Sequence, residues 1–160
     1  MFARQPVVNL ACSAVRALDR VAPVVGLAIR LYVASVFFKA ALTKVQSWDA
    51  TLALFEYEYA VPLLAPPVAA WLGTTVELFA PVFLALGLGG RLSALVLFAF
   101  NMVAVVSYPD ISPAGVKDHM LWGWLLAVVF FYGPGKLSVD HFVVRRITQG
   151  SHAGRSPVSV

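Results

Sequence analysis

The chain has 160 residues, of which 60% are hydrophobic and 12% charged, and its mean hydropathy is +0.81. That balance excludes an ordinary soluble domain, and the single cysteine, Cys12, excludes an internal disulfide or a CxxC redox pair. The net charge of +4 reads as membrane topology and attraction to anionic lipid rather than as nucleic-acid binding.

Crossing roughly 30 Å of hydrocarbon at about 1.5 Å per residue takes about 20 mainly apolar residues in a helix. Val21 to Leu42, Val68 to Gly89, Leu92 to Tyr108 and Met120 to Gly135 are the stretches that qualify, and they lack the alternation of a membrane barrel. The expected fold class is therefore all-α membrane: a four-transmembrane-helix bundle over residues 21–141, after an interfacial segment at 1–20 and before a basic tail at 142–160, with no internal repeat. In the amino-terminal segment, Leu10, Ala14, Val15, Leu18 and Val21 recur at helical spacing opposite Arg16 and Arg20, the pattern of an amphipathic helix lying on the cytoplasmic face. "NLAC" is a poor lipoprotein signal, because too short an apolar stretch precedes it.

Pro23 suits the first turn of the first span. Within that span Arg30 and Lys44 are fourteen residues apart and share a face, whereas Lys39 faces the opposite way and is expected to snorkel to the headgroups. Residues 45–67 break the pattern with Trp48, "FEYEY" and the prolines Pro62, Pro66 and Pro67; this outer loop is amphipathic in part, with Trp48, Tyr57 and Tyr59 suited to headgroup level.

The second span carries Glu77, about nine residues inside it and thus near the membrane midplane. Pro81, four residues on, cannot donate the amide hydrogen that would satisfy the Glu77 carbonyl, so a bend is expected there. The span ends at "GLGGR", where glycines permit a tight reversal. The third carries Asn101 at similar depth and stops at "SYPDISPAG". The fourth is expected to start near Asp118 as amino-terminal cap, with His119 beside it, and to end at "YGPGK". Residues 150–160, small and polar, read as a disordered tail.

Charge sets the orientation. Arg4, Arg16, Arg20, Arg30, Arg91, Lys136, Arg145, Arg146 and Arg155 fall on one side and Lys39, Lys44 and Lys117 on the other, which predicts both termini in the cytoplasm.

An isolated charge near the midplane is costly, so each buried polar group should face the bundle interior and find a partner. Arg30 is long enough to reach Glu77 and Asn101, and an Arg30, Glu77, Asn101 cluster is one arrangement the counting allows. Two readings of it stay open, a clasp between the first two spans and a functional site. His119 is either an interfacial cap or a proton donor and acceptor near neutral pH. No haem, flavin or metal motif is seen: His141 and His152 lie beyond the far end of the fourth helix from His119. Tryptophans 71, 122 and 124 read as lipid anchors or packing.

Arg30 followed by Phe37 and Lys44, Glu77 followed by Gly87 and Arg91, and "GPGKLSVD" at residues 133–140 together resemble the DoxX family of small four-helix bacterial integral membrane proteins, over roughly residues 24–141. Ala34 and Ala41 stand where family glycines are expected, and Phe79 to Pro81 replaces a usually glycine-rich stretch. The resemblance implies an inner-membrane, multi-pass protein linked to membrane redox systems, such as thiosulfate:quinone oxidoreduction and oxidative-stress complexes, acting beside a soluble or membrane partner. It says more about fold than about reaction.

The first functional expectation is thus a membrane subunit of a redox system, at most an accessory subunit of a quinone-linked oxidoreductase. It would bind a quinone or similar lipid-soluble molecule through Arg30, Lys44, Glu77, Asn101 and His119, with Glu77 and His119 handling protons. A partner, or further copies of the chain, would complete the system, since no electron carrier is evident in the sequence. The rival is a non-catalytic anchor or assembly factor in which Arg30 and Glu77 are a structural clasp. A small transporter is the third, requiring oligomerisation to form a gated path.

Overall fold

The computed structural model describes residues 4–153, with side-chain surroundings for 8–148. Six helices follow in order: α1 Arg4–Gln46, α2 Trp48–Tyr57, α3 Pro66–Leu86, α4 Gly90–Ser107, α5 Pro113–Tyr132 and α6 Val139–Ala153. Four of them, α1, α3, α4 and α5, are long and apolar enough to cross a membrane. α3 packs on α1 and on α4, and α5 closes the bundle against α4 and α1.

The inner faces explain why these helices associate. In lipid there is no hydrophobic drive between apolar helices, so close packing by small residues and interhelical hydrogen bonds replaces it. Arg30, Val33, Ala34, Phe37 and Ala41 form the buried stripe of α1 at helical spacing, and Ala70, Gly73, Thr74, Glu77, Pro81 and Leu84 that of α3. On α4 the stripe is Gly90, Ala94, Leu97 and Asn101, and on α5 it is Gly123, Leu126 and Val129. Large apolar side chains such as Leu31, Phe79, Val82, Leu95, Val103 and Phe131 are exposed on the outer surface, where acyl chains would meet them.

One end of the bundle is locked by a polar knot. α3 ends at Gly87, whose φ of +65° is left-handed, and the Gly87 and Leu88 amides bond back to Leu84 and Phe83 carbonyls. A Cβ on Gly87 would lie 2.5 Å from Ser138 Cβ and 2.6 Å from an Arg30 guanidinium nitrogen, so this position takes glycine for space as well as for φ. The segment after α5 folds over this turn. Asp140 accepts from the Gly89 and Gly90 amides at 2.8 and 2.9 Å, placing a carboxylate at the start of α4, while its own amide donates to the Gly87 carbonyl at 3.1 Å. Arg91, Lys136, Arg145 and Arg146 also belong to this end, which is called the basic end below.

At the other end, α2 lies across the helix ends. Thr51 Oγ1 donates to the Lys44 carbonyl at 2.8 Å, fixing the corner between α1 and α2. Phe55 packs on Ala69 and Ala70 with Trp48, Leu52, Tyr59 and Val61 around it, and Trp48 lies against Trp71 with ring centroids 4.4 Å apart. The Ala60 amide donates to the Ser107 carbonyl at 2.7 Å and ties the following loop to the end of α4.

Three boundaries differ from the sequence expectation. The residues read as an interfacial helix are continuous with the first span, and Pro23 sits inside α1 rather than in its first turn. One proline removes one backbone bond, and α1 runs on through it here. The last span begins at Pro113, not near Asp118: Ser112 caps it by accepting the Gly115 amide at 3.1 Å, with proline at the first helical position. Finally, residues from Val139 onward form α6, whose Phe142, Val143 and Ile147 are exposed. Of the tail read at 150–160, residues 150–153 continue α6 and the remainder, including Arg155, lies outside the described residues.

Candidate functional site

Glu77 stands at the middle of α3 and is 5% exposed. Its carboxylate forms a close ion pair and hydrogen bond with the Lys44 ammonium from the last turn of α1. The cation that Glu77 needs is therefore Lys44, brought in by the same α1 face that carries Arg30. Lys39 is exposed on the opposite face.

Arg30 is not part of this site, which corrects the Arg30, Glu77, Asn101 cluster. Its side chain, 1% exposed, turns toward the basic end and donates to the Leu84 and Ala85 carbonyls at 3.3 and 2.8 Å and to the Leu137 carbonyl. The carbonyls at the end of α3 carry the negative pole of the helix dipole, and the guanidinium reaches two of them at once. Of the two directions its length allows, Arg30 takes the one that offers acceptors without also facing Lys44.

Asn101 also leaves Glu77 alone. It is fully buried on α4 and clasps α5: its Nδ2 donates to the His119 carbonyl at 2.9 Å, and its Oδ1 lies 2.7 Å from His119 Nδ1. Gly123, one turn after His119, leaves room for the approach; a Cβ there would meet Asn101 Nδ2 at 3.4 Å. Because α5 starts at Pro113, His119 lies in its second turn and faces the bundle instead of capping the helix.

Lys44, Glu77 and His119 line one cavity of about 390 Å³ in the α2 half of the bundle. Its walls are Val36, Phe37, Ala40, Leu72, Gly73, Val76, Phe100, Val103, Ala104 and Trp122, and its roof is Phe55, Tyr59, Val61 and Leu64. Tyr59 packs edge-on against Tyr108, with centroids 5.4 Å apart. Burial, together with the nearby Glu77 charge, pushes the Tyr59 phenol above its usual range, so it remains a neutral hydroxyl at physiological pH. Two polar atoms of cavity-lining residues are buried with no partner among the described residues, Ser107 Oγ and Trp122 Nε1. An apolar cleft with a few convergent polar groups is the usual form of a small-molecule site.

Sequence reasoning placed Glu77, Lys44 and His119 among the candidates and missed Tyr59, Ser107, Tyr108 and Trp122. Trp122 had a signal, since it stands three residues after His119 and shares its face. Tyr59 read as a headgroup anchor, whereas Tyr57, two residues earlier, is the one that is exposed.

A family model described as DoxX matches residues 25–109, from within α1 to just beyond α4. No curated protein and no solved structure matches the chain.

Proposed function

The chain belongs to the DoxX family and is a multi-pass membrane protein, and on that premise we propose that it binds a quinone or a similar lipid-soluble ring compound in the α2-end cavity as the membrane subunit of a redox system. The observation that carries this reading is the cavity itself, with aromatic and aliphatic walls and the Lys44–Glu77 pair and His119 as its ionisable groups inside the membrane-spanning bundle. A ring with polar oxygens at opposite edges fits such a lining: apolar walls take the ring, and an ammonium with donors to spare takes an oxygen. Glu77 and His119 then accept or relay protons. Arg30 drops out of the binding set, and Asn101 acts through His119.

A partner must supply the electrons, because no redox-active side-chain pair exists in the chain. The amino-terminal part of α1 supports a partner, since Val8, Leu10, Val15 and Leu18 are exposed on a helix that runs past the bundle. The same feature favours the alternative, a non-catalytic anchor or assembly factor.

Thermal unfolding in nanodiscs, with and without menaquinone or ubiquinone, tests the reading. Ligand at about a hundred times its Kd adds ~2.7 kcal/mol of stability. The melting temperature should rise in the wild type and not in Glu77→Gln. No rise with either quinone in a folded protein overturns the proposal and leaves the anchor reading.

A further inference from the structure

The contact between Asn101 and His119 has a chemical direction. A carbonyl oxygen only accepts hydrogen bonds, so the Asn101 group facing the His119 carbonyl is the NH2, and Oδ1 faces the ring. Oδ1 is itself only an acceptor, so the ring nitrogen it meets, Nδ1, carries the hydrogen. In a neutral imidazole the other nitrogen, Nε2, then holds a bare lone pair. Nε2 has no protein partner among the described residues, and His119 lines the cavity whereas Asn101 does not.

Beside it stands the opposite kind of group. The Trp122 ring packs against His119 with centroids 4.8 Å apart, and its indole N–H, a donor only, is buried without a partner. The adjacent rings therefore offer a ligand one acceptor and one donor. A hydroxyl satisfies both, giving its hydrogen to Nε2 and taking the indole hydrogen on its oxygen. A carbonyl oxygen satisfies the indole alone and sets its own lone pairs against that of Nε2, leaving that acceptor unpaired.

We propose that Asn101 is a positioning residue that holds His119 with Nε2 as acceptor, and that the cavity thereby selects ligands presenting a ring hydroxyl, the reduced quinol form, over the carbonyl of the oxidised quinone. The inference rests on the cavity being the quinone site and adds which redox state it prefers. No bond is made or broken in this step; it is a binding preference set by one proton's location.

Affinities of decylubiquinol and decylubiquinone for the full-length protein in nanodiscs, the former under anaerobic reducing conditions, test it together with ¹⁵N spectra of histidine-labelled protein. In the spectra the signals lost in His119→Gln identify the residue, and Nε2 should show the shift of an unprotonated ring nitrogen. The quinol should bind about fivefold to tenfold more tightly than the quinone, the worth of one hydrogen bond. Asn101→Leu should erase most of that ratio while both forms still bind, whereas a merely structural Asn101 would weaken both alike. Should Asn101→Leu fail to fold, the wild-type ratio and spectrum decide alone. A protonated Nε2, or equal affinities in the wild type, overturns the inference and leaves the site standing; binding of neither form overturns the site and the inference together.

Discussion

A carboxylate in the middle of a membrane helix is stable as an ion only with a cation at hand, and the Lys44–Glu77 pair supplies one. Removing one partner strands the other charge, at a cost of about 3–5 kcal/mol, whereas replacing both with apolar residues of similar size is near neutral. Lys44→Met and Glu77→Leu should therefore each lower the melting temperature, and the double substitution should recover most of the loss. If the pair is the ligand's anchor, the double variant, though stable, should no longer gain stability from a quinone. A double variant as unstable as the worse single one would show that the pair does more than neutralise itself. Sequence spacing exposed part of this arrangement. Lys44 shares the Arg30 face fourteen residues on, although the counting brought only Arg30 within reach of the acid. Which one meets it was illegible, because the choice depends on three carbonyls from residues 84, 85 and 137 that compete for Arg30 and come together only when the bundle closes.

At the scale of elements, the segment that follows α5 does structural work. Residues 137–140 fasten the α3–α4 turn by one backbone bond and a carboxylate on two amides, and Arg30 joins that knot from α1. Asp140→Ala should then cost about 1–2 kcal/mol, the loss of a cap on a helix start, and the ligand-induced rise at the cavity should be unchanged because Asp140 lies at the opposite end of the bundle. Thermal unfolding with and without quinone checks both; loss of the ligand response would mean that the two ends are coupled. The spans themselves were legible from apolar length, and α4 departs from its expected bounds by no more than two residues. The ends were not, for a physical reason. Asp118 and Ser112 are both good amino-terminal caps by composition, and only Ser112 is followed by a proline with the right φ to begin the helix. The continuity of α1 through Pro23 was equally hidden, since a proline early in a span fits a start as well as an interior.

For the whole molecule, α1 sets the geometry that matters to a partner. Its 43 residues extend about 64 Å, twice the roughly 30 Å of a hydrocarbon core, so a long stretch of helix projects beyond the bundle at the basic end. Arg16, Arg20, Arg91, Lys136, Arg145 and Arg146 gather there, against the acidic Asp49, Glu56, Glu58, Asp110 and Asp118 at the α2 end. The excess of cations predicts that the basic end is cytoplasmic and that the half of the bundle holding the cavity lies toward the opposite face. The chain provides its own probe, because Cys12 is the sole cysteine and is exposed on the projecting part of α1. A membrane-impermeant maleimide should label Cys12 in inverted vesicles and not in intact cells. A cysteine placed by Glu56→Cys in a Cys12→Ser background should show the reverse. The reversed pattern for both would overturn the charge argument. The outcome also sorts the partners: a protein exchanging electrons with the cavity from its nearer face has to work on the α2 side, whereas one docking on the apolar length of α1 works on the other. A single partner performing both roles is excluded unless it spans the membrane itself.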